Sequence, residues 1–126
     1  MRMEGAVLFV KDLGRMTAFY RDVLGLMPIE ETRLENWVEF RGDAGRFSLH
    51  AVPPPIAAGI QIESPPRPRE QASAKLIFAV ESVDITLQKI EQMGLPLLRR
   101  PWGATEAVDP EGNVFAFSAA RQTTDT

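Results

Sequence analysis

Residues 5–27 read GAVLFVKDLGRMTAFYRDVLGLM, and residues 75–97 repeat their pattern as KLIFAVESVDITLQKIEQMGLPL. Each stretch passes from a short run of β-forming residues through a polar break to an amphipathic segment that ends near a Gly-Leu pair. Such self-similarity within 126 residues indicates an internal duplication. We therefore expect two modules that share one fold.

Both amphipathic segments are predicted to be helices with one buried face. Asp12 and Ser82 stand where an N-cap residue belongs, and Gly25 and Gly94 stand where the glycine after a helix belongs. The apolar residues at helical spacing are Leu13, Met16, Tyr20, Val23 and Leu24 in the first segment and Val83, Leu87, Ile90 and Met93 in the second.

Short strands are predicted before and after each helix. They cover residues 6–10, 28–32, 37–41 and 46–52 in the first module, with a turn at 42–45, and residues 76–80, 97–100, 104–108 and 114–119 in the second. The order is βαβββ twice, which places the chain in the α+β class. The six prolines of residues 53–70 predict a connector, with one short extended piece at residues 59–62.

Composition excludes several classes of partner and site. A formal net charge of −3 provides no large positive field for a nucleic acid or an anionic membrane. The absence of cysteine excludes disulfides and thiolate metal sites and fits a reducing compartment. No apolar run approaches the roughly 20 residues of a membrane span, and the N-terminus lacks the layout of a signal peptide. We expect a cytoplasmic protein with a small-molecule ligand.

Two stretches resemble a known family. Residues 7–26, VLFVKDLGRMTAFYRDVLGL, are similar to the opening strand and helix of the vicinal oxygen chelate superfamily, the glyoxalase/bleomycin resistance/dioxygenase proteins. Residues 100–117, RPWGATEAVDPEGNVFAF, resemble the closing hairpin of that superfamily. The resemblance implies a single domain over residues 1–126, in which two βαβββ modules form curved sheets around a cavity.

The same resemblance sets the expected organisation of the chain. Module one covers about residues 1–53, the Pro-rich connector about 54–72 and module two about 73–120. Many members are homodimers, so a homodimer is expected. The modules pair either within one chain or across two, and the sequence leaves both arrangements open.

The resemblance also implies where a divalent metal would bind. Enzymes of the superfamily take ligands from the first and last strand of each module, and the matching positions here are Gly5, Ser48, Lys75 and Ala116. None of these residues is a good ligand, and a lysine repels a cation. We therefore expect no cofactor at the usual position.

A relocated metal site is the alternative. His50 is the only histidine, and alternation places it on the same strand face as Ser48. Together with Glu39 or Glu106 it would supply the donors that a metal needs. The same imidazole is the candidate for acid or base chemistry without a metal.

Five residues besides His50 are candidates for ligand contact. Trp37 and Trp102, interpreted as lying on strands of the two modules, offer flat surfaces for stacking, and Glu39 and Glu106 follow them at even spacing. Lys75 suits either an ion pair or contact with an anionic or carbonyl group. The predicted ligand-binding set is Trp37, Glu39, His50, Lys75, Trp102 and Glu106.

Three functions fit these observations. The first is a small-molecule-binding protein that resembles the metal-free bleomycin-resistance members and holds an apolar or aromatic ligand in the cavity. The second is a metal-dependent lyase, isomerase or ring-cleaving dioxygenase that uses a relocated site. The third is a subunit or regulatory domain that only dimerises. The dismantled ligand set and the two tryptophans favour the first.

Overall fold

The structure, a computed structural model, describes residues 1–42 and 45–119, and these form two compact units. The first unit is Met1–Ile62 and the second begins at Glu63. The elements of the first unit are β1 (Gly5–Val10), α1 (Leu13–Asp22), a 3₁₀ turn (Glu30–Thr32), β2 (Trp37–Phe40), β3 (Arg46–Ala51) and α2 (Pro54–Ala57). Those of the second are β4 (Leu76–Val80), α3 (Val83–Gln92), β5 (Leu97–Arg99), β6 (Thr105–Val108) and β7 (Val114–Ala119).

The helices begin and end as their capping residues predict. The Asp12 carboxylate accepts a hydrogen bond from the backbone N–H of Arg15 at 3.0 Å, and the Ser82 hydroxyl accepts one from Ile85 at 3.2 Å. Gly25 and Gly94 take φ values of 74° and 76°, a left-handed conformation that favours glycine. In residues 1–42 and 45–119, no helix is both long and apolar enough for a bilayer crossing.

The two sheets share one topological plan. The first has the strand order β1-β3-β2, in which β1 and β3 are parallel and β2 is antiparallel to β3. The second has the order β4-β7-β6-β5, with β4 and β7 parallel and the remaining pairs antiparallel. The parallel pair of first and last strands therefore recurs, which confirms the α+β class and the internal repeat.

The strand predicted at residues 28–32 was wrong. Pro28 makes only an isolated bridge with Phe40, and Glu30–Thr32 form a 3₁₀ turn that closes through a 3.1 Å hydrogen bond from the Arg33 N–H to the Glu30 carbonyl. The backbone hydrogen bonds beside this bridge do form, from the Ile29 N–H to the Glu39 carbonyl at 2.8 Å and from the Arg41 N–H to the Met27 carbonyl at 2.9 Å, and pairing ends where the chain turns at Glu30. In its described residues the first unit is βαββ with two isolated bridges, Pro28 with Phe40 and Leu34 with Trp37, whereas the second is βαβββ.

The connector also differs from its prediction. Residues 59–62 join no strand ladder, and Gly59 lies in a turn. Before them the chain makes the short helix α2, in which proline occupies the first positions. Proline is tolerated there because the first N–H groups of a helix have no helical partner. Of the turn predicted at residues 42–45, Asp43 and Ala44 lie outside the described residues.

Each unit has its own apolar core beneath its helix. In the first unit the Tyr20 ring of α1 lies 6.3 Å from the Phe40 ring and 5.1 Å from the Phe47 ring, centroid to centroid. In the second unit Ile90 of α3 and Phe115 of β7 are almost fully buried. Burial of these side chains supplies most of the favourable free energy of folding in each unit.

A buried aspartate closes the turn between β6 and β7. The Asp109 carboxylate accepts hydrogen bonds from the backbone N–H groups of Glu111, at 2.9 Å, and Asn113, at 3.0 Å. Gly112 has a φ of 89°, which the tight turn requires. Arg69 of the connector binds this turn, because its backbone N–H donates to the Gly112 carbonyl at 2.9 Å and its Nε donates to the Glu111 carbonyl at 3.0 Å. The turn therefore holds the connector as well as the hairpin.

Candidate functional site

Within residues 1–42 and 45–119, the ten-residue helix of each unit packs on one face of its sheet, and the opposite face is called here the helix-free face. In the first unit Phe40 and Phe47 point toward Tyr20 of α1, so the alternate residues of each strand lie on the opposite side. The register aligns three rows of these alternate residues across β1, β3 and β2. They are Gly5, Val7 and Phe9 on β1, Arg46, Ser48 and His50 on β3, and Trp37 and Glu39 on β2.

One of these rows is aromatic. His50 stands between Phe9 and Trp37, with centroid distances of 5.5 and 5.6 Å to their rings. The Asn36 amide nitrogen lies 3.4 Å from Nε2 of His50. Phe9 is 62% exposed and Val7, in the next row, is 47% exposed. We call Phe9, His50 and Trp37 the aromatic row; it offers ring surface to a flat ligand.

The helix-free face of the second sheet is apolar along β4 and β7. Ile77 pairs with Ala116 and Ala79 pairs with Ser118 across the parallel ladder. Ile77 is 66% exposed. The small side chains beside it leave a shallow apolar surface, which ends at Lys75, the residue before β4.

Four charged residues form a chain of ion pairs next to this surface. Lys75 Nζ lies 2.5 Å from Glu106 Oε2, and Arg100 Nε donates to Glu106 Oε1 at 2.8 Å. The Arg100 guanidinium also binds both oxygens of Glu70, at 2.8 and 2.7 Å. Exposure rises from Glu106 at 3% through Arg100 at 18% to Lys75 at 43% and Glu70 at 51%. This charge chain, Glu70–Arg100–Glu106–Lys75, alternates in sign.

The charge chain keeps its acids ionised. Burial of the Glu106 carboxyl acts to raise its pKa, but the hydrogen bonds from Lys75 and Arg100 outweigh burial and hold the pKa below its ordinary value. The hydrogen bonds from Arg100 likewise lower the pKa of Glu70. The hydrogen bond of Arg100 to Glu70, and in second place that to Glu106, raises the pKa of Arg100.

We expect Glu106→Gln to lower the free energy of unfolding at pH 7 by about 2 kcal/mol. The figure is below that for a fully buried pair, because Lys75 is partly solvated. Since the folded-state pKa is depressed, the stabilisation exists above the ordinary value of 4.5 and is lost as the pH falls through the folded value. Urea unfolding at pH 7 and pH 3 measures both effects.

The control for this prediction is Glu70→Gln, which removes the exposed acid of the same charge chain. An exposed pair contributes less than about 1 kcal/mol, so this change is expected to have the smaller effect at pH 7. The other Asp and Glu residues titrate in both the wild type and the variant, so the difference between the two proteins reports on position 106. If Glu106→Gln lowers the free energy of unfolding by the same amount at pH 7 and pH 3, the depressed pKa assigned to Glu106 is contradicted.

A sequence model of the Glyoxalase/Bleomycin resistance protein/Dioxygenase superfamily matches residues 2–117. The chain belongs to this superfamily. A comparison with curated protein sequences finds no match. Membership confirms the family resemblance of the opening strand-helix pair and the closing hairpin.

Three solved structures are similar to this chain over most of its length. A protein of unknown function from Agrobacterium tumefaciens is 28% identical, with a TM-score of 0.64 over 96% of this chain and 95% of that one. A lactoylglutathione lyase from the same organism is 25% identical, with a TM-score of 0.58 over 91% and 90% of the two chains. A fosfomycin resistance protein from Listeria monocytogenes, 18% identical with a TM-score of 0.66 over 94% and 90%, shows the fold alone.

The four positions where the superfamily resemblance implies metal ligands do not fit a metal ion. A Cβ at Gly5 would lie 2.3 Å from the Arg46 carbonyl oxygen, so no side chain fits there without a backbone shift. Lys75 binds Glu106, and Ala116 has only a methyl group. Ser48 has the remaining donor, a neutral hydroxyl that is a poor ligand for a divalent ion.

A relocated metal site stays a prediction. Over residues 1–42 and 45–119, His, Asp and Glu side chains nowhere form a group of three that could hold an ion. The neighbours of the His50 ring are Phe9, Trp37 and Asn36. On the same face Glu39 pairs with Ser48, one row away from His50.

The structure brings the predicted ligand-binding residues into two groups. Trp37 and His50 belong to the aromatic row, with Glu39 in the next row, and Lys75 and Glu106 are joined in the charge chain. Ligand contact at these positions stays a prediction.

The placement of Trp102 on a strand was wrong. Trp102 lies in the turn between β5 and β6, 69% exposed, because Gly103 with its φ of 96° ends the hairpin there. The Arg100 guanidinium carbon lies 5.8 Å from the centre of its ring. Ligand contact by Trp102 likewise stays a prediction.

Three residues of these groups were missed by the sequence reasoning. Phe9 had a signal, since alternation along β1 places it on the helix-free face. Arg100 was not in the predicted ligand-binding set, although the hairpin spacing puts it on the same side as Leu98 and Glu106. Glu70 lies in the connector and carried no sequence signal.

Proposed function

We propose that this protein binds a small, partly aromatic or apolar molecule on the helix-free faces of its sheets and does so without a metal ion. The observation that carries the proposal is the aromatic row. Three rings aligned across β1, β3 and β2, one of them 62% exposed, form a surface for an aromatic ligand.

The exposed apolar side chains support binding over a purely structural role for these faces. Phe9, Val7 and Ile77 are each about half exposed or more. A scattered apolar residue needs no partner, but Phe9 and Val7 share the helix-free face of the first sheet, and such grouping favours an occupant that covers them. A ligand gains affinity there from the area that it removes from water.

The metal-free part of the proposal is supported by the four positions described above. Gly5, Ser48, Lys75 and Ala116 together provide no imidazole and no carboxylate. The Lys75 ammonium would oppose a divalent cation at that point. Binding is therefore proposed to depend on ring contacts and on charge supplied by the protein.

The test uses N-phenylnaphthylamine, an uncharged aromatic probe that fluoresces in apolar surroundings. We expect Phe9→Ala with Trp37→Ala to weaken its binding by about tenfold or more, because about 1.4 kcal/mol is lost with two rings of the row. The neutral probe is titrated into the wild type and the double variant. Circular dichroism and thermal unfolding establish that both are folded.

The matched control is Ile85→Ala, which shortens an exposed apolar side chain on α3, away from the aromatic row. Its affinity should stay within about twofold of the wild type. Trp102→Ala separately tests the predicted ligand contact of the second tryptophan. Unchanged affinity in the Phe9 and Trp37 double variant would exclude the aromatic row as the binding surface.

A cytoplasmic homodimer completes the proposal. The lack of cysteine supports a reducing compartment, and the superfamily resemblance supports the dimer. Analytical ultracentrifugation of the purified chain measures the oligomeric state. A sedimentation mass of one chain at micromolar concentration would exclude the dimer.

A further inference from the structure

The charge chain ends in a cation, Lys75, and an anion, Glu70, called here its positive end and its negative end. Arg100 and Glu106 each bind two partners of opposite sign, whereas Lys75 donates a hydrogen bond to Glu106 and Glu70 accepts hydrogen bonds from Arg100. Two acids and two bases give a net charge of zero, and the Lys75 charge also helps to lower the pKa of Glu70. Lys75 differs from the other cation in its exposure, which is 43% against 18% for Arg100.

The positive end lies beside the apolar surface of the second sheet. Alternation along β4 puts Lys75 on the same side as Ile77, whose partner across the ladder is Ala116. The Lys75 side chain is 43% exposed, whereas its acidic partner is 3% exposed. An ammonium group has three hydrogen-bond donors, and Glu106 uses one of them.

The buried carboxylate fixes the direction of this ammonium. Glu106 is oriented by Arg100 on its other oxygen, and Arg100 is in turn held by both oxygens of Glu70. Lysine otherwise loses considerable rotamer entropy when it binds a ligand. The charge chain removes part of that cost in advance, because Lys75 is already oriented by Glu106 before a ligand arrives.

We propose that the Lys75 ammonium binds a singly charged oxyanion, such as a carboxylate or sulfonate, whose apolar body lies on Ile77 and Ala116. The inference rests on the proposed function and names the class of its ligand. A single charge suits the site because the charge chain is neutral as a whole and Lys75 is its more exposed cation. A doubly charged group would meet Glu106 nearby with no second cation to balance it.

The test compares two probes of one skeleton, anilinonaphthalene sulfonate and uncharged N-phenylnaphthylamine. Both are titrated into the wild type, Lys75→Met and Lys75→Arg. We expect Lys75→Met to weaken the anionic probe by about tenfold and to change the neutral probe by less than about twofold. Lys75→Arg, which keeps the cation, should stay within about threefold of the wild type for both probes.

Lys89→Met is the matched control, because it removes the same charge from an exposed position on α3. Thermal unfolding establishes that each variant is folded. If Lys75→Met is unfolded, Lys75→Met combined with Glu106→Gln serves in its place, because it also removes the buried carboxylate that has lost one of its two partners. The double variant should show the same selective loss.

The outcomes separate this inference from the proposed function. Binding of both probes with an unchanged anionic affinity in Lys75→Met would overturn the anion site and leave the proposed function standing. Equal loss of both probes in that variant would assign Lys75 a structural role and overturn the anion site too. Saturable binding of neither probe to the wild type would overturn the proposed function, and this inference with it.

Discussion

Asp109→Ala should lower the free energy of unfolding by about 4 kcal/mol, because it leaves several buried donors without a partner. The carboxylate accepts hydrogen bonds from the backbone N–H groups of Glu111 and Asn113 and from Nδ2 of Asn113, at distances of 2.9, 3.0 and 2.9 Å. Asp109 has no exposed surface, so water cannot replace these hydrogen bonds without opening the turn. Each unsatisfied buried group costs about 1–3 kcal/mol.

Urea unfolding followed by circular dichroism measures this loss. Asp109→Asn keeps one acceptor oxygen of the same shape and should lose about half as much. Asp84→Ala removes an exposed acid in the first turn of α3 and should cost less than about 1 kcal/mol. An Asp109→Ala protein within about 1 kcal/mol of the wild type would contradict the role of the carboxylate in closing the turn.

The same turn connects stability to the proposed anion site. Arg69 binds the carbonyls of Glu111 and Gly112, and the next residue, Glu70, binds Arg100 of the charge chain. Opening of the turn would release the connector at Arg69 and, with it, the negative end of the charge chain. Asp109→Ala should therefore also weaken the anionic probe through misplacement of Glu70 and Arg100.

Local signals in the sequence were sufficient for the helices and for most strands. The cap at Asp12 and the glycine at Gly25 act within a few residues of the helix that they bound, so a single sequence contains them. The prediction of a strand at residues 28–32 failed for a local reason as well, because pairing with β2 stops after Ile29, where the chain turns at Glu30. The sequence Pro-Ile-Glu-Glu-Thr lacks the alternation of a strand.

The charge chain required information that no local pattern carries. Lys75 and Glu106 are 31 residues apart and Arg100 and Glu70 are 30 apart, so their contacts depend on how the second unit folds. Only the Arg100–Glu106 pair lies within one hairpin, where the alternation of β5 and β6 predicts a shared face. Sequence reasoning selected Lys75 and Glu106 separately and could not pair them.

The aromatic row shows the opposite case. Alternation along β1 and β3 placed Phe9 and His50 on one face, and the parallel register then put them side by side. The sequence alone supplies the face of each residue but not the row in which it lies. A shift of two residues in register would have kept every face and separated the three rings.

Gly5 shows why the usual metal position cannot be restored by one substitution. The superfamily resemblance implies His at this position, but a Cβ there would lie 2.3 Å from the Arg46 carbonyl oxygen and 3.0 Å from the Arg46 Cβ. Arg46 is the partner of Gly5 across β1 and β3, so the obstacle is backbone rather than a flexible side chain. We expect Gly5→Ala to lower the free energy of unfolding by about 3 kcal/mol and Gly5→His by at least as much.

Gly14→Ala is the matched control, because the only heavy atom near a Cβ at that position is Oδ1 of Asp12, at 3.8 Å. This helical position should be neutral or gain up to about 1 kcal/mol. Urea unfolding measures all three variants, and elemental analysis measures zinc retained by Gly5→His. A Gly5→His protein as stable as the wild type would mean that β1 and β3 yield easily at this point. The short distance to the Arg46 carbonyl oxygen favours the opposite result. In that case the strand partner of Gly5 requires a glycine, and the backbone of the first sheet excludes a ligand side chain at this position.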